Sequence, residues 1–153
     1  MTTSSKLPPE LAGGLTGRER ETWREFARVS RAMEARLAAV LADTPVSTGE
    51  FGVLIAVAEL GGSPQMSVVA GHLSLSPSDL SHRAARLERK QLLRRSKCSD
   101  DARATTAELT DEARELLART LPTYAETVRG GLLSRLSATQ QRSLVDWLRD
   151  IRP

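Results

Sequence analysis

The side chains best suited to chemistry in this sequence are basic, and they concentrate in one short segment, Ser76 to Arg103. The segment holds eight Lys and Arg residues against four Asp and Glu residues, a net charge of +4 in a chain whose total is +3. A local basic patch on a nearly neutral body is the usual footprint of phosphate binding, so this segment is a candidate polyanion-binding surface. A solvated basic surface is the alternative that charge alone leaves open. The basic residues are Arg83, Arg86, Arg89, Lys90, Arg94, Arg95, Lys97 and Arg103.

Catalysis and metal binding find little support in the sequence. There is no glycine-rich phosphate loop, no Ser-His-Asp pattern and no pair of carboxylates on a face that would be buried. We therefore predict that the chain is not an enzyme and uses no cofactor. The two histidines, His72 and His82, lack supporting cysteines, so no metal site is expected.

The single cysteine, Cys98, cannot form an internal disulfide. It is a candidate for a redox response because Arg95 and Lys97 would favour its thiolate form. The acidic residues that follow it oppose this effect, and an incidental exposed thiol is the simpler interpretation.

The length of 153 residues suits one domain, or one protomer of an obligate oligomer. No stretch approaches the roughly 18 apolar residues of a membrane-spanning helix. The first residues also lack the apolar stretch of a secretory signal. We therefore expect no membrane partner and a cytoplasmic location.

Local signals place the basic segment on a helix and a hairpin. Ser76 is a good N-cap and Pro77 suits the first helical position, so a helix is predicted to begin there and to bury Leu80, Ala84 and Leu87. A short helix and the turn Ser74-Leu75-Ser76 precede it, which together make a helix-turn-helix. Two short strands are predicted at 92–97 and 104–109, joined by a polar tip.

Long helices are predicted on both sides of this lobe. Thr16 and Glu19 form a possible capping box at the start of a long amphipathic helix, and Thr110 caps another helix that contains Pro122. The fold class is therefore mainly α with a small β-hairpin wing. We divide the chain into a flexible N-terminal arm (1–14), a helical dimerisation region (15–45 and 111–153) and a winged helix-turn-helix lobe (46–110).

The run from Val69 to Thr110 resembles the DNA-binding lobe of the MarR family, the multiple-antibiotic-resistance regulators. The flanking helices are similar in order and length, so the resemblance covers nearly the whole chain. Family members often have glycine where this chain has Gln91, so we expect the turn before the first strand to differ locally. The matching residues are Val69-Ala70, Leu73, Leu75-Ser76-Pro77-Ser78, Arg86-Leu87-Glu88-Arg89, Leu92-Leu93-Arg94-Arg95, Asp101-x-Arg103 and Leu109-Thr110.

The resemblance implies that the helix beginning near Pro77 enters the major groove of DNA. In the wing, Arg103 would reach into the minor groove with Asp101 orienting it, while Arg94, Arg95 and Lys97 would contact phosphates. Two alternatives stay open: Asp79 complements the helix N-terminus instead, and Arg94 or Arg95 is a solvated strand edge. The residues implied on the helix are Ser76, Ser78, Asp79, Ser81, His82, Arg83 and Arg86.

The flanking helices carry apolar seams that one small winged lobe could not cover, which predicts a homodimer. The resemblance implies a ligand-responsive repressor that binds a palindromic operator and responds to a small aromatic or phenolic effector. Trp23, Phe26 and Phe51 are the tentative pocket residues, with an ordinary core role as the alternative. Two other functions stay open, a protein-interaction module of the same fold that no longer binds DNA and a redox-responsive regulator based on Cys98.

Overall fold

A computed structural model describes residues 14–98 and 104–151 of the chain. Within these residues, the fold consists of six α-helices and one two-stranded antiparallel sheet, as predicted. The elements are α1 (Gly17–Val40), α2 (Thr48–Leu60), α3 (Met66–Leu73), α4 (Pro77–Arg89), β1 (Leu93–Lys97), β2 (Thr105–Leu109), α5 (Asp111–Gly131), a short 3-10 turn (Leu133–Arg135) and α6 (Ala138–Asp150).

Hydrogen bonds at the first turns define the helix starts, and those predicted for α1, α4 and α5 are confirmed. Capping boxes begin α1, α2 and α6, where a Ser or Thr side chain and a Glu or Gln side chain three residues later each accept from the other's backbone amide. Ser76 caps α4 and Thr110 caps α5 in the simpler way, through one side-chain oxygen. Pro122 lies inside α5, which continues past it to Gly131.

The hairpin pairs Leu93 with Leu109 at its base and Lys97 with Thr105 near its tip. A third segment joins it, because Gln65 forms a bridge with Thr106 and the Ala107 amide donates to the Pro64 carbonyl at 2.9 Å. The loop before α3 is thus tied to the wing, and the helix-turn-helix and the hairpin form one packed unit.

The core lies beneath the helix-turn-helix, between α2, α4, the hairpin and the first half of α5. Its largest fully buried side chains include Phe51, Leu54, Leu80, Leu87 and Leu116. Each of these residues comes from the apolar face of an amphipathic or buried helix, and their burial removes apolar surface from water, the main stabilising term in folding.

The turn between α4 and β1 contains Gln91, whose φ of 58° lies in the left-handed region that glycine favours. The position therefore keeps a glycine-like conformation although it carries a side chain. Its backbone is held at both ends: its amide donates to the Glu88 carbonyl, and its carbonyl accepts from the Thr110 hydroxyl at 2.8 Å.

α1 and α6 contribute no buried residue to the chain, although both are amphipathic. α1 packs on the C-terminal end of α5. The two helices approach closely there, because a Cβ added to Gly131 would lie only 2.6 Å from the Met33 sulfur. The N-terminal half of α1 and all of α6 extend beyond the core, and no other element packs closely on α6 within the described residues. Large apolar side chains stay exposed there: Leu15, Trp23, Phe26, Val29, Val145, Trp147, Leu148 and Ile151.

None of the helices in the described part of the chain combines the length and apolar character needed to cross a membrane.

Candidate nucleic-acid interface

The turn between α3 and α4 is set by local hydrogen bonds. Ser74 takes the left-handed conformation at the end of α3, with φ of 51°, and the Leu75 amide donates to the Ala70 carbonyl at 3.0 Å. Ser76 then caps α4: its Oγ accepts from the Asp79 amide at 3.1 Å and donates to the Asp79 carboxylate at 2.6 Å. Asp79 is therefore engaged at the helix N-terminus, as the alternative interpretation of this residue expects.

One face of α4 is buried, and the residues beside it are engaged with the rest of the lobe. Leu80, Ala84 and Leu87 form the buried face. A helix turns about 100° per residue, so the side chains just to either side of this face point towards neighbouring elements. One of these flanks faces α2 and the other faces β1.

The flank that faces α2 carries three cations. Arg83 Nη1 donates to the Gly49 carbonyl at 3.1 Å, and Arg86 Nε donates to Glu50 Oε1 at 3.0 Å. Lys90, which ends the helix, donates to Glu50 Oε2 at 2.7 Å. The predicted DNA contacts Arg83 and Arg86 are thus placed against α2.

Glu50 is a buried carboxylate, with its side chain only 3% exposed. Burial opposes its ionisation and is the largest single influence, but hydrogen bonds from Lys90, the Ser47 amide and Arg86 outweigh it and lower the pKa of Glu50 to about 2. The carboxylate is therefore ionised at neutral pH and neutralises part of the charge of α4.

The other flank of α4 is tied to the wing. Arg95 on β1 makes three hydrogen bonds to the Glu88 carboxylate, at 3.1 Å from its amide and at 2.9 and 2.6 Å from its guanidinium. The hydrogen bonds from Arg95, opposed by burial, lower the pKa of Glu88. The same guanidinium approaches Ser81 Oγ at 3.4 Å. Arg95 therefore orients the wing relative to α4, and it is more than a solvated strand edge.

Between these flanks runs an outward stripe of α4, formed by Ser78, His82, Ala85 and Arg89. Spacings of four, three and four residues place the four side chains above one another, opposite the buried face. Ser78, His82 and Arg89 are exposed. Arg89 was missing from the predicted site, although extending the 4-3-4 spacing from Ser78 would have found it.

The wing adds two exposed cations. Arg94 and Lys97 lie on β1, and their side chains, like that of Arg89, make no hydrogen bond or ion pair with the described part of the chain. Cys98 follows the strand, partly buried, with its amide donating to the Ala104 carbonyl at 2.9 Å. The predicted pair Asp101 and Arg103 falls outside the described residues.

The three tentative pocket residues are not brought together. Phe51 is 0% exposed in the core, where its ring lies 5.2 Å from that of Tyr124. Trp23 and Phe26 pack on each other on α1, 63% and 51% exposed. They line an apolar groove of about 520 Å³ between α1 and α6, hereafter the α1–α6 groove. Its α6 side is formed by Leu144, Trp147, Leu148 and Ile151.

Both histidines lie within the described part of the chain. Among residues 14–98 and 104–151, no group of three His, Cys, Asp or Glu side chains is placed to hold a metal ion. His72 pairs instead with Glu59 at 3.1 Å, which joins α3 to α2.

Comparison with known proteins finds no matching protein-family model and no matching curated protein, but many similar solved structures. Sco3205 of Streptomyces coelicolor, a MarR family transcriptional regulator solved in complex with DNA, is 34% identical, with a TM-score of 0.82 over 90% of this chain and 87% of that one. AbsC, a MarR family transcriptional regulator of the same organism, is 28% identical, with a TM-score of 0.82 over 90% and 93% of the two chains.

A third structure concerns regulation of DNA binding of Bordetella bronchiseptica BpsR by 6-hydroxynicotinic acid. It is 20% identical, with a TM-score of 0.72 over 87% of this chain and 99% of that one, and this likeness shows the fold. The two more similar structures are transcriptional regulators and not enzymes.

Proposed function

Because this chain belongs to the MarR family of transcriptional regulators, we propose that it binds double-stranded DNA as a homodimer and acts as a ligand-responsive repressor at a palindromic operator. Since its target would be chromosomal DNA, we expect it to act in the cytoplasm.

The outward stripe of α4 is the observation that carries the DNA-binding proposal. It is the only face of this helix that neither the core, α2 nor β1 occupies, and it is polar, with Ser78 and His82 near its N-terminal end. These two residues are suited to base edges or phosphates in a major groove. Arg89 beside them, and Arg94 and Lys97 on the wing, are free to contact phosphates. Arg103, oriented by Asp101, remains the proposed minor-groove contact.

The homodimer is supported by α1 and α6, neither of which contains a fully buried residue within one chain. Trp23 is 63% exposed and Trp147 66% exposed, and large contiguous apolar surfaces of this kind mark protein interfaces. A second copy of the chain would cover both helices. A twofold dimer would then set two copies of α4 about 34 Å apart, the length of one turn of DNA, and so favour a palindromic site.

The effector is proposed to be a small aromatic or phenolic molecule. Trp23 and Phe26 give the α1–α6 groove an apolar, aromatic lining, and its volume of about 520 Å³ lies within the range of small-molecule sites. Both tryptophans of the chain line this groove, so their fluorescence reports directly on its occupancy. Because the second copy of the chain would cover the same groove, an effector bound there would compete with it and loosen the dimer. Titration with substituted phenols and benzoates is therefore expected to quench that fluorescence and to release DNA.

The experiment that tests the proposed function combines sedimentation with selection of bound DNA. The purified protein is expected to sediment at twice the mass of the chain and to select, from a random pool of duplexes, a twofold-symmetric sequence with half-sites about 10 base pairs apart. Affinity should fall roughly 10³–10⁵-fold between 50 and 200 mM salt, as for proteins with about 6–10 phosphate contacts. A well-folded protein that sediments as a single chain and ignores DNA at low salt would contradict the proposal.

A further inference from the structure

We infer that the first turn of α2 is a clamp that holds the basic flank of α4 away from DNA, with Glu50 as its positioning residue. The inference rests on the proposed function and deepens it. It assigns Arg83, Arg86 and Lys90 to fixing the angle of α4, and it leaves the phosphate contacts to other cations.

Glu50 is committed to these cations on both of its oxygens. Oε1 accepts from Arg86 at 3.0 Å, while Oε2 accepts from Lys90 at 2.7 Å and from the Ser47 amide at 2.8 Å. A carboxylate whose side chain is 3% exposed is stable only while it is paired, because removing a partner leaves an uncompensated buried charge. DNA phosphates would have to compete with this requirement to recruit Arg86 or Lys90.

Gly49 adds a second contact to the clamp. Its carbonyl accepts from Arg83 Nη1 at 3.1 Å, and a Cβ at this position would collide with the same guanidinium. The absence of a side chain at Gly49 is what allows Arg83 to lie against α2. Two consecutive residues of α2 thus hold three cations that are 34 to 40 positions further along the chain.

The clamp divides the basic segment into two sets of cations with different roles. Arg83, Arg86 and Lys90 are engaged by α2, whereas Arg89, Arg94 and Lys97 have no internal partner in the described part of the chain. Phosphate contacts strengthen binding to every sequence equally. Withdrawing three cations from phosphates therefore lowers non-specific affinity and raises the share of binding that comes from base readout.

The salt dependence of DNA binding distinguishes a clamp from a merely structural ion pair, because its slope counts phosphate contacts. We would measure it by fluorescence anisotropy on a random-sequence 30-base-pair duplex and on the duplex selected by the protein. Arg86→Met leaves Glu50 paired with Lys90, and Arg89→Met is its matched control on the outward stripe. Arg89→Met is expected to reduce the slope by about 0.9 per protomer, whereas Arg86→Met leaves the slope as in the parent and weakens binding to the selected duplex.

Glu50→Gln should change the salt slope in the opposite direction to Arg89→Met. Glutamine serves in a capping box, as Gln140 does in α6, so the variant keeps the cap while it loses the charge and the second acceptor oxygen, which faces Arg86. With Arg86 and Lys90 released, the slope on random DNA should rise by up to about 1.8 per protomer, and the ratio of selected to random affinity should fall roughly threefold or more. Glu115→Gln, the same change at an exposed carboxylate beyond the first turn of α5 and without an ion pair among the described residues, should leave both values unchanged.

The clamp is ruled out if Arg86→Met lowers the slope as much as Arg89→Met does, or if a folded Glu50→Gln variant keeps the parent slope. Should Glu50→Gln fail to fold by circular dichroism, the comparison of the two arginine variants still decides. If the parent protein binds neither duplex, the proposed function and the clamp are both overturned. If the parent binds DNA but Arg86→Met lowers the salt slope, Arg86 is a phosphate contact and only the clamp is overturned.

Discussion

The Lys90 ammonium lies 2.7 Å from the Glu50 carboxylate, across 40 positions of sequence. Glu50 belongs to the first turn of α2 and Lys90 ends α4, so each charge also lies at the helix end whose dipole favours it. This ion pair therefore joins the start of one helix to the end of the helix proposed to read DNA.

Replacing Glu50 with glutamine is expected to lower the free energy of unfolding at pH 7 by about 2 kcal/mol or more. The pKa of Glu50 is lowered in the folded protein from 4.5 to about 2. A depressed pKa means that the ionised carboxylate stabilises the fold fully above pH 4.5, and that this contribution is lost as the pH falls from 4.5 towards 2.

Urea unfolding of the parent and Glu50→Gln proteins, followed by circular dichroism at pH 7 and pH 3, checks this. The difference in the free energy of unfolding between the two proteins should be smaller at pH 3 than at pH 7 by about half or more. Glu115→Gln, the same change at an exposed carboxylate beyond the first turn of α5, should match the parent at both values. A difference for Glu50→Gln that is as large at pH 3 as at pH 7 would show that its charge is not the cause.

Gln91→Gly is expected to stabilise the protein by about 0.5–1 kcal/mol, because the residue has a φ of 58° and its side chain is exposed. Glycine removes the steric cost of the left-handed conformation, which outweighs its greater freedom in the unfolded chain. Thermal unfolding measures the effect. Gln91→Ala keeps a Cβ and should give no gain, so equal stabilisation by both variants would argue against backbone strain as the cause.

Trp147→Asp is expected to convert the proposed dimer to single chains at concentrations where the parent is dimeric, because a carboxylate would have to be desolvated in the α1–α6 groove. Sedimentation velocity measures the mass. The affinity for DNA should also fall, because a single chain can contact only one half-site. Trp147→Phe keeps an apolar ring and should remain dimeric. A Trp147→Asp protein that keeps the parent mass would remove α6 from the proposed interface.

His82→Ala is expected to relax the preference of the protein at one base pair per half-site, by about 1–3 kcal/mol, while leaving its affinity for random DNA nearly unchanged. The reason is that His82 lies on the outward stripe of α4, towards its N-terminal end, and its side chain has no internal partner in the described part of the chain. Competition binding with single-base variants of the selected duplex measures the change. His72→Ala, which removes the other histidine from the pair with Glu59, should keep the parent preference.

Arg103→Ala is expected to weaken binding to all sequences and to reduce the salt slope by about 0.9 per protomer, as loss of a wing cation proposed to enter the minor groove between the phosphates should. Anisotropy titrations on the selected and random duplexes measure both quantities. Arg103→Lys keeps the charge and should recover part of the affinity. If Arg103→Ala binds the selected duplex as tightly as the parent, the proposed role of the wing tip is wrong.

Local sequence was sufficient to predict the helix starts and the hairpin. Thr16, Ser76 and Thr110 cap helices as expected, because a cap and the amide it accepts from are only three residues apart, and the geometry of one turn brings them together. The 4-3-4 spacing that defines a helix face is equally local. Extended from Ser78, that spacing would also have predicted Arg89 as part of the site, although charge alone did not distinguish Arg89 from the other arginines.

The partners of the charged and aromatic side chains depended on tertiary packing. Glu50 meets Arg86 and Lys90 from 36 and 40 positions away, and Phe51 enters the core beside Tyr124 while Trp23 stays outside it. No periodicity in the sequence encodes these distances, because they follow from how α2, α4 and α5 pack after each helix has formed. Local propensity thus established which residues share a face of α4, and only the packing of α2 against that helix selected which of its cations remain available to a polyanion.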